Sequence, residues 1–208
     1  STDDKIDYVT FSSTGNATDF GNLSVARFGT ASLSDQTRGI WAGGATPTKQ
    51  DVIDYITMES SGNAVDFGNL GAANYQPAAC SSSTRGIIGG GENPNATNTI
   101  EYITILSTGN YNNFGDLTVA RRGLSSCSNS TRGLFWTGLS NTNTIEYITI
   151  ASAGNATDFG DTTYTTQEAA ACASPTRGIL GGGNPNVNTI NYVAIATTGN
   201  ATDFGDLT

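Results

Sequence analysis

Ile-Glu-Tyr-Ile-Thr-Ile-Ala-Ser-Ala-Gly-Asn-Ala-Thr-Asp-Phe-Gly-Asp, residues 145–161, has close copies at five places in the chain. Its tyrosine recurs as Tyr8, Tyr55, Tyr102, Tyr147 and Tyr192. A phenylalanine follows each at a fixed distance, as Phe20, Phe67, Phe114, Phe159 and Phe204. The tyrosines are 47, 47, 45 and 45 residues apart, and self-similarity at that period marks a solenoid, a propeller or an array. Because the repeat runs from the first ten residues to the last ten, there is no position at which to cut the 208 residues into two domains.

Within each copy a half-buried strand is followed by a Ser/Thr-Gly-Asn turn and a second strand around the phenylalanine. Residues 1–23 contain only this pair. From Ser24 onward two further segments precede it, Arg27 to Leu33 and Arg38 to Gly44 in the first instance. A full unit therefore has four short strands, a to d, and the units are expected at 24–70, 71–117, 118–162 and 163–208. The change in period has one location, the b-to-c connection: Ala45 to Val52, Glu92 to Thr99, Leu139 to Thr144 and Asn184 to Thr189. Rich in Asn, Pro and Thr, these segments read as surface loops, where length change is tolerated.

Composition agrees with an all-β chain. Charged residues are only 13% and glycines number 26, which suits short strands joined by tight turns. A net charge of −9 works against binding a phosphate backbone, so no nucleic-acid partner is expected. The sequence has no apolar run of about 18 residues, so no membrane insertion is expected. Ser1-Thr-Asp-Asp has neither the basic nor the apolar part of a signal peptide, so an exported form is expected to have lost its leader or to use another route.

Four strands in about 45 residues, with Gly-Gly closing strand b, is the pattern of a β-propeller blade. Arg121 at the head of strand a, Arg-Gly-Ile-Leu-Gly-Gly-Gly at 177–183, Ile-Glu-Tyr in strand c and an aromatic in strand d resemble a kelch repeat. Phenylalanine stands where kelch repeats usually carry tryptophan, so the resemblance is kelch-like. It implies a β-propeller of four full blades plus a half-blade at 1–23, with five blade positions, and it covers the whole chain. The half-blade is then completed by strands from elsewhere, or else it sits beside a four-bladed ring as a linker. A narrower resemblance is carried by Thr-Gly-Asn-Ala-Thr-Asp-Phe-Gly-Asp-Leu-Thr at 198–208 and Ser-Pro-Thr-Arg-Gly-Ile at 174–179. These are similar to repeats in virion-structural proteins of marine tailed phages, especially those of cyanobacteria.

Cys80, Cys127 and Cys172 share one repeat position, with Leu33 in the remaining copy. All three are expected to be reduced and buried in the cores between blades. The Thr-Arg-Gly arginines Arg38, Arg85, Arg132 and Arg177 are expected to clamp turns through a carboxylate or turn carbonyls. Asn-Ala-Thr at Asn16, Asn155 and Asn200 fits the glycosylation sequon, but the shared position points to a turn needing positive φ. Asp158 with Asp161, and Asp203 with Asp206, fall short of a calcium cage, and no metal or cofactor is expected.

In an up-and-down blade the b–c and d–a connections share one face, and on that face the repeat breaks down. One d–a position holds Phe28, Tyr75, Arg122 and Gln167. Tyr164 replaces Val25, Ala72 and Val119, and Trp136 stands where the other b strands have Ala42, Gly89 and Gly181. With Asn93, Asn141 and Asn184 these residues form a candidate ligand surface suited to sugars. Trp136 has a second reading, as filler of space left by a shorter loop. Catalysis is not expected: there is no histidine, the cysteines sit at core positions, and Asp51, Asp54 and Glu92 have no catalytic spacing. Two functions remain, a virion-associated propeller for assembly and attachment to host-surface glycan, or a secreted carbohydrate-binding or adhesive propeller. The expected partners are other virion subunits or copies of the chain itself, and cell-surface glycan.

Overall fold

The computed structural model describes residues 2–139 and 142–208. The chain is all-β. It opens with a two-stranded sheet of β1 (Asp3–Tyr8) and β2 (Thr18–Arg27). The first full unit contains β3 (Ala31–Ser34), β4 (Arg38–Ala42), the short strands β5 (Ala45–Thr46) and β6 (Thr48–Lys49), β7 (Val52–Thr57) and β8 (Val65–Asn69). The second is β9 (Ala78–Ser81), β10 (Arg85–Gly89), β11 (Thr99–Thr104) and β12 (Asn112–Asp116). The third is β13 (Ser125–Ser128), β14 (Arg132–Trp136), β15 (Thr144–Thr149) and β16 (Thr157–Asp161). The fourth is β17 (Ala170–Ala173), β18 (Arg177–Gly181), β19 (Thr189–Ala194) and β20 (Thr202–Asp206).

Each full unit is a four-stranded antiparallel meander in chain order, with β5 and β6 set apart as a hairpin in the first b–c connection. That connection is therefore more ordered than a plain loop. β2 also runs four residues past the boundary expected at residue 23, and Arg27 pairs with Asp3.

Both faces of the inner sheets are buried, because each sheet packs on the next. Leu33, Ile40, Ile53 and Phe67 of the first unit meet Ile88, Ile103 and Ile105 of the second. Cys80, Ile87, Ile100 and Phe114 meet Phe135, Ile148 and Ile150 in the same way. Cys127, Leu134, Ile145 and Phe159 meet Leu180, Val193 and Ile195. Within every copy the tyrosine and phenylalanine rings stand edge to face, with centroids 5.8–6.1 Å apart.

Polar contacts fix the spacing of these layers. The amides of Gly62, Gly109, Gly154 and Gly199 donate to the carbonyls of Phe20, Phe67, Phe114 and Phe159 in the preceding unit, at 2.7–2.8 Å. The next residue adds a side-chain clasp: Oδ1 of Asn63, Asn110, Asn155 and Asn200 accepts from the amides of Asn22, Asn69, Asp116 and Asp161 at 3.0–3.1 Å. The asparagine is thus an inter-unit clasp, and not the positive-φ residue that its turn position suggested; among the described residues the non-glycine positions with positive φ are Gln76, Thr137 and Glu168. Serines tie the inner strands together, with Ser81 Oγ donating to Ser34 O at 2.7 Å and Ser128 Oγ to Ser81 O at 2.8 Å.

The Thr-Arg-Gly arginines bridge units as well. Arg38, Arg85 and Arg132 lie over Tyr55, Tyr102 and Tyr147 of their own sheets, 4.4–4.5 Å from the ring centroids. Their Nη1 atoms donate to the carbonyls of Ile105, Ile150 and Ile195 in the following unit at 2.8, 3.1 and 2.9 Å. Of the two acceptors weighed from the sequence, the turn carbonyls are the ones used. Arg177 keeps its place over Tyr192, at 4.8 Å.

The series stops at both ends of the chain. A Cβ built on Gly21, Gly68, Gly115 or Gly160 would lie 2.2–2.5 Å from the backbone of Gly62, Gly109, Gly154 or Gly199, whereas Gly205 and Gly15 have nothing within 4 Å. Phe204 is 55% exposed against 2% for Phe159, and Cys172 is exposed while Cys80 and Cys127 are buried. The expectation that all three cysteines are buried is corrected at Cys172, because no following sheet covers it. At the other end Ile6 and Phe20 pack on Ile56 and Trp41. Ile56 lacks the partners that Ile103 finds in Leu33 and Ile40. A cavity of about 540 Å³, lined by Tyr8, Trp41 and Met58 among others, takes their place.

Two predictions follow from these contacts. Gly115→Ala meets both backbone strain and the next unit's carbonyl, whereas Gly205→Ala meets strain alone, so thermal melts should show a loss at least about 1 kcal/mol larger for Gly115→Ala. Burial pushes the Cys127 thiol up to about 11 and the Cys80 thiol higher still. A thiol reagent should therefore modify one cysteine, Cys172, in the native protein and all three after denaturation; three fast native thiols would contradict the packing.

Candidate functional site

The d–a turns and b–c connections meet on one face. Phe28 pairs with Ala45, Tyr75 with Glu92, Arg122 with Leu139 and Gln167 with Asn184, one bridge in each full unit. Along the inner edge of that face the turns are joined by main-chain bonds: Gln76 N to Gly29 O at 2.9 Å, Gly123 N to Gln76 O at 3.1 Å and Glu168 N to Gly123 O at 2.7 Å. These four positions share φ values of 53–67°, which suit glycine, yet the second and fourth are Gln76 and Glu168. Their side chains bond each other across the intervening unit, Gln76 Nε2 to Glu168 Oε1 at 2.7 Å.

The residues expected to form a ligand surface separate into groups here. Phe28, 48% exposed, stands edge to face with Tyr75 at 5.5 Å. Arg122 and Lys49 both pair with Glu92, Lys49 at 2.6 Å, so three units are tied by one carboxylate. The Lys49 ammonium holds the Glu92 carboxyl below its ordinary range. Asn93 and Asn184 are exposed on the b–c connections, while Asn141 lies outside the described residues. Tyr164 turns inward: it packs on the third core and its hydroxyl donates to Thr189 O at 2.9 Å.

Trp136 is fully buried, and this corrects its candidacy as a surface anchor. Its position on β14 points into the core between the third and fourth sheets, where the ring sits against Gly178. The acidic residues do not gather either. Asp54 is paired inside the first unit with Arg27 at 2.9 Å and accepts from Ser24, whereas Glu92 lies in the Lys49 and Arg122 contact.

A different pattern emerges when the four units are superposed by repeat position. Strand c carries Asp54, Glu101, Glu146 and Asn191, and the residue before each bridge is Arg27, Asn74, Arg121 and Thr166. In every unit the strand-c group accepts a backbone N–H from the repeat position that follows strand d in the later units and lies within the extended β2 in the first: Ser24 at 3.1 Å, Gly71 at 3.0 Å, Thr118 at 2.5 Å and Thr163 at 2.8 Å. In the first and third units a buried arginine balances the carboxylate, with Arg121 2.5 Å from Glu146 and the side chains 0% exposed. In the fourth unit Asn191 removes the charge. The second unit does neither: Glu101 is 9% exposed, and none of the ion pairs among the described residues includes it. Burial pushes its carboxyl up to about 7, against the lowering effect of the Gly71 N–H.

No protein-family model matches the chain, and no curated protein matches it either.

The Glu101 environment predicts the direction of a pH effect. A carboxyl that titrates higher in the folded than in the unfolded chain binds more protons when folded, so its contribution to stability is greatest below about pH 4.5 and is lost as pH rises through about 7. The loss is on the order of 3 kcal/mol. Glu101→Gln should leave stability in urea little changed at about pH 5 and raise it at about pH 8. A variant with the same difference from the parent at both pH values would show that Glu101 is solvated.

Proposed function

We propose that the chain is a non-enzymatic structural module, a kelch-like β-propeller segment of a virion surface, fibre or tail, that assembles through its two unfinished ends and presents its irregular face to a host-surface glycan. One observation carries the assembly part: the ends are complementary. Phe204, Gly205 and Asp206 hold the positions that Phe159, Gly160 and Asp161 use to receive the next unit, and Gly15, Asn16 and Ala17 hold those of Gly199, Asn200 and Ala201. A second copy seating its two-stranded sheet on β20 repeats a contact the chain already makes four times. A head-to-tail contact of this kind is heterologous, so it closes into a ring or runs on as a filament. It also covers apolar surface that otherwise favours uncontrolled association, such as the half-exposed Phe204.

The propeller reading is supported by the outward order of the strands in each sheet and by the serine bonds linking β3, β9 and β13. The glycan part rests on the half-exposed Phe28 beside Tyr75 and on the asparagines of the neighbouring loops. The same features support the second reading, a secreted carbohydrate-binding propeller, for which association is not required.

Sedimentation equilibrium of the 208-residue chain tests the proposal. Association should rise with concentration, and Phe204→Asp and Asn16→Ala should each weaken it at least tenfold while leaving the fold intact, about 1.4 kcal/mol at the contact. A chain that stays monomeric, or one whose association ignores both substitutions, contradicts the assembly proposal. A glycan array run on the parent chain and Tyr75→Ala tests the glycan part, which predicts loss of sugar binding in the variant; sugar binding by a chain that stays monomeric favours the second reading.

A further inference from the structure

The arginines of the first and third units show what the second unit lacks. Arg121 donates to Thr144 O at 3.1 Å and Phe135 O at 3.4 Å while it pairs with Glu146, and Arg27 likewise donates to Trp41 O at 3.4 Å. In the third unit the guanidinium is therefore enclosed by one carboxylate and two strand carbonyls, and in the first by one carboxylate and at least one of them. The corresponding residues of the second unit are Glu101, Thr99 and Ile88, and all three line a cavity of about 230 Å³ whose wall also includes Ala72, Asn74 and Asn93. Asn74, in the arginine position, is turned away from Glu101: its Nδ2 donates to Gly90 O at 2.8 Å and its Oδ1 accepts from Glu92 N at 2.8 Å. The cavity thus retains the acceptors and has lost the cation.

We propose that this cavity binds a guanidinium group on a short alkyl stem, brought from outside the chain, in the place that Arg27 and Arg121 occupy in their own units. The acceptors favour this cation over others. A planar guanidinium satisfies a carboxylate and two carbonyls at once, whereas an ammonium presents a compact point charge with no fork. A calcium ion draws its six to eight oxygens largely from carboxylates, and Glu101 is the one carboxylate among the residues lining the cavity. The volume admits several water-sized groups, so the stem can follow the guanidinium in. The exposed Asn93 lines the cavity, which places the site on the irregular face.

Two sources share this chemistry, free arginine-like molecules and an arginine side chain of a partner. The test is an NMR titration of the intact chain with methylguanidinium, following the Gly71 amide that donates to Glu101. The expected result is a saturable shift of that resonance, at least tenfold weaker with methylammonium, and abolished in Glu101→Gln. Asn74→Arg is the second variant. It should raise the melting temperature, because its own guanidinium fills the cavity, and it should also abolish the titration. In a parallel arm, a capped arginine residue that binds as tightly as methylguanidinium identifies a partner's side chain, and one that binds at least tenfold more weakly identifies a small free molecule. No saturable shift at Gly71, or an unchanged titration in Asn74→Arg, overturns the proposal.

Discussion

The hydrogen bond from the Gly154 amide to the Phe114 carbonyl, with its three counterparts at Gly62, Gly109 and Gly199, sets the distance between neighbouring sheets. Much else follows from that distance. Gly21, Gly68, Gly115 and Gly160 must lack a side chain because the next unit's backbone lies against them. The clasping asparagines reach the preceding strand, and the tyrosine–arginine stacks bring guanidinium groups to the next unit's carbonyls. Two apolar faces per sheet can then be buried in a chain that is only 37% hydrophobic, because each layer serves as core for two neighbours. The stability of such a stack is expected to be a sum of unit and nearest-neighbour terms, so an uncovered end weakens the unit that carries it.

A second constraint acts inside each unit. Strand c places a polar group in a nearly dry position, and that group must accept the backbone N–H that follows the preceding strand. A carboxylate there is tolerable when a guanidinium offsets its desolvation, as in the Arg27 and Arg121 units, and an amide avoids the charge, as at Asn191. Glu101 satisfies the N–H and leaves its charge unbalanced. A neutral residue at that site would be more stable, and so the departure of one copy from its siblings points toward an external cation.

Much of this was legible in the sequence because repetition reveals itself. The recurring tyrosine and phenylalanine locate five strand pairs, and the Thr-Arg-Gly turns locate four more, which together account for the four full sheets and the two-stranded one. Trp136 was harder to read. Strand parity fixes which face a residue occupies, but whether that face meets solvent or another sheet depends on the neighbour, here Gly178 with no side chain to exclude the indole. Asn155 was misread for a related reason: an asparagine in a turn looks local, while its partner Asp116 lies 39 residues away in another unit. The Glu101 site was within reach. Aligning Arg27, Asn74, Arg121 and Thr166 with Asp54, Glu101, Glu146 and Asn191 exposes a carboxylate without its arginine, although only the fold shows that the two columns touch.

One inter-sheet contact is made four times and left open a fifth. Native-state hydrogen exchange on the dilute monomer measures it directly, because the same backbone amide serves in every copy. The amides of Gly62, Gly109, Gly154 and Gly199 should be protected, and the Gly15 amide should exchange at the rate of an unstructured peptide. Protection at Gly15 equal to that of the other four, under conditions where no association is present, would mean that the first and last sheets meet within one chain, and it would contradict the open-ended arrangement.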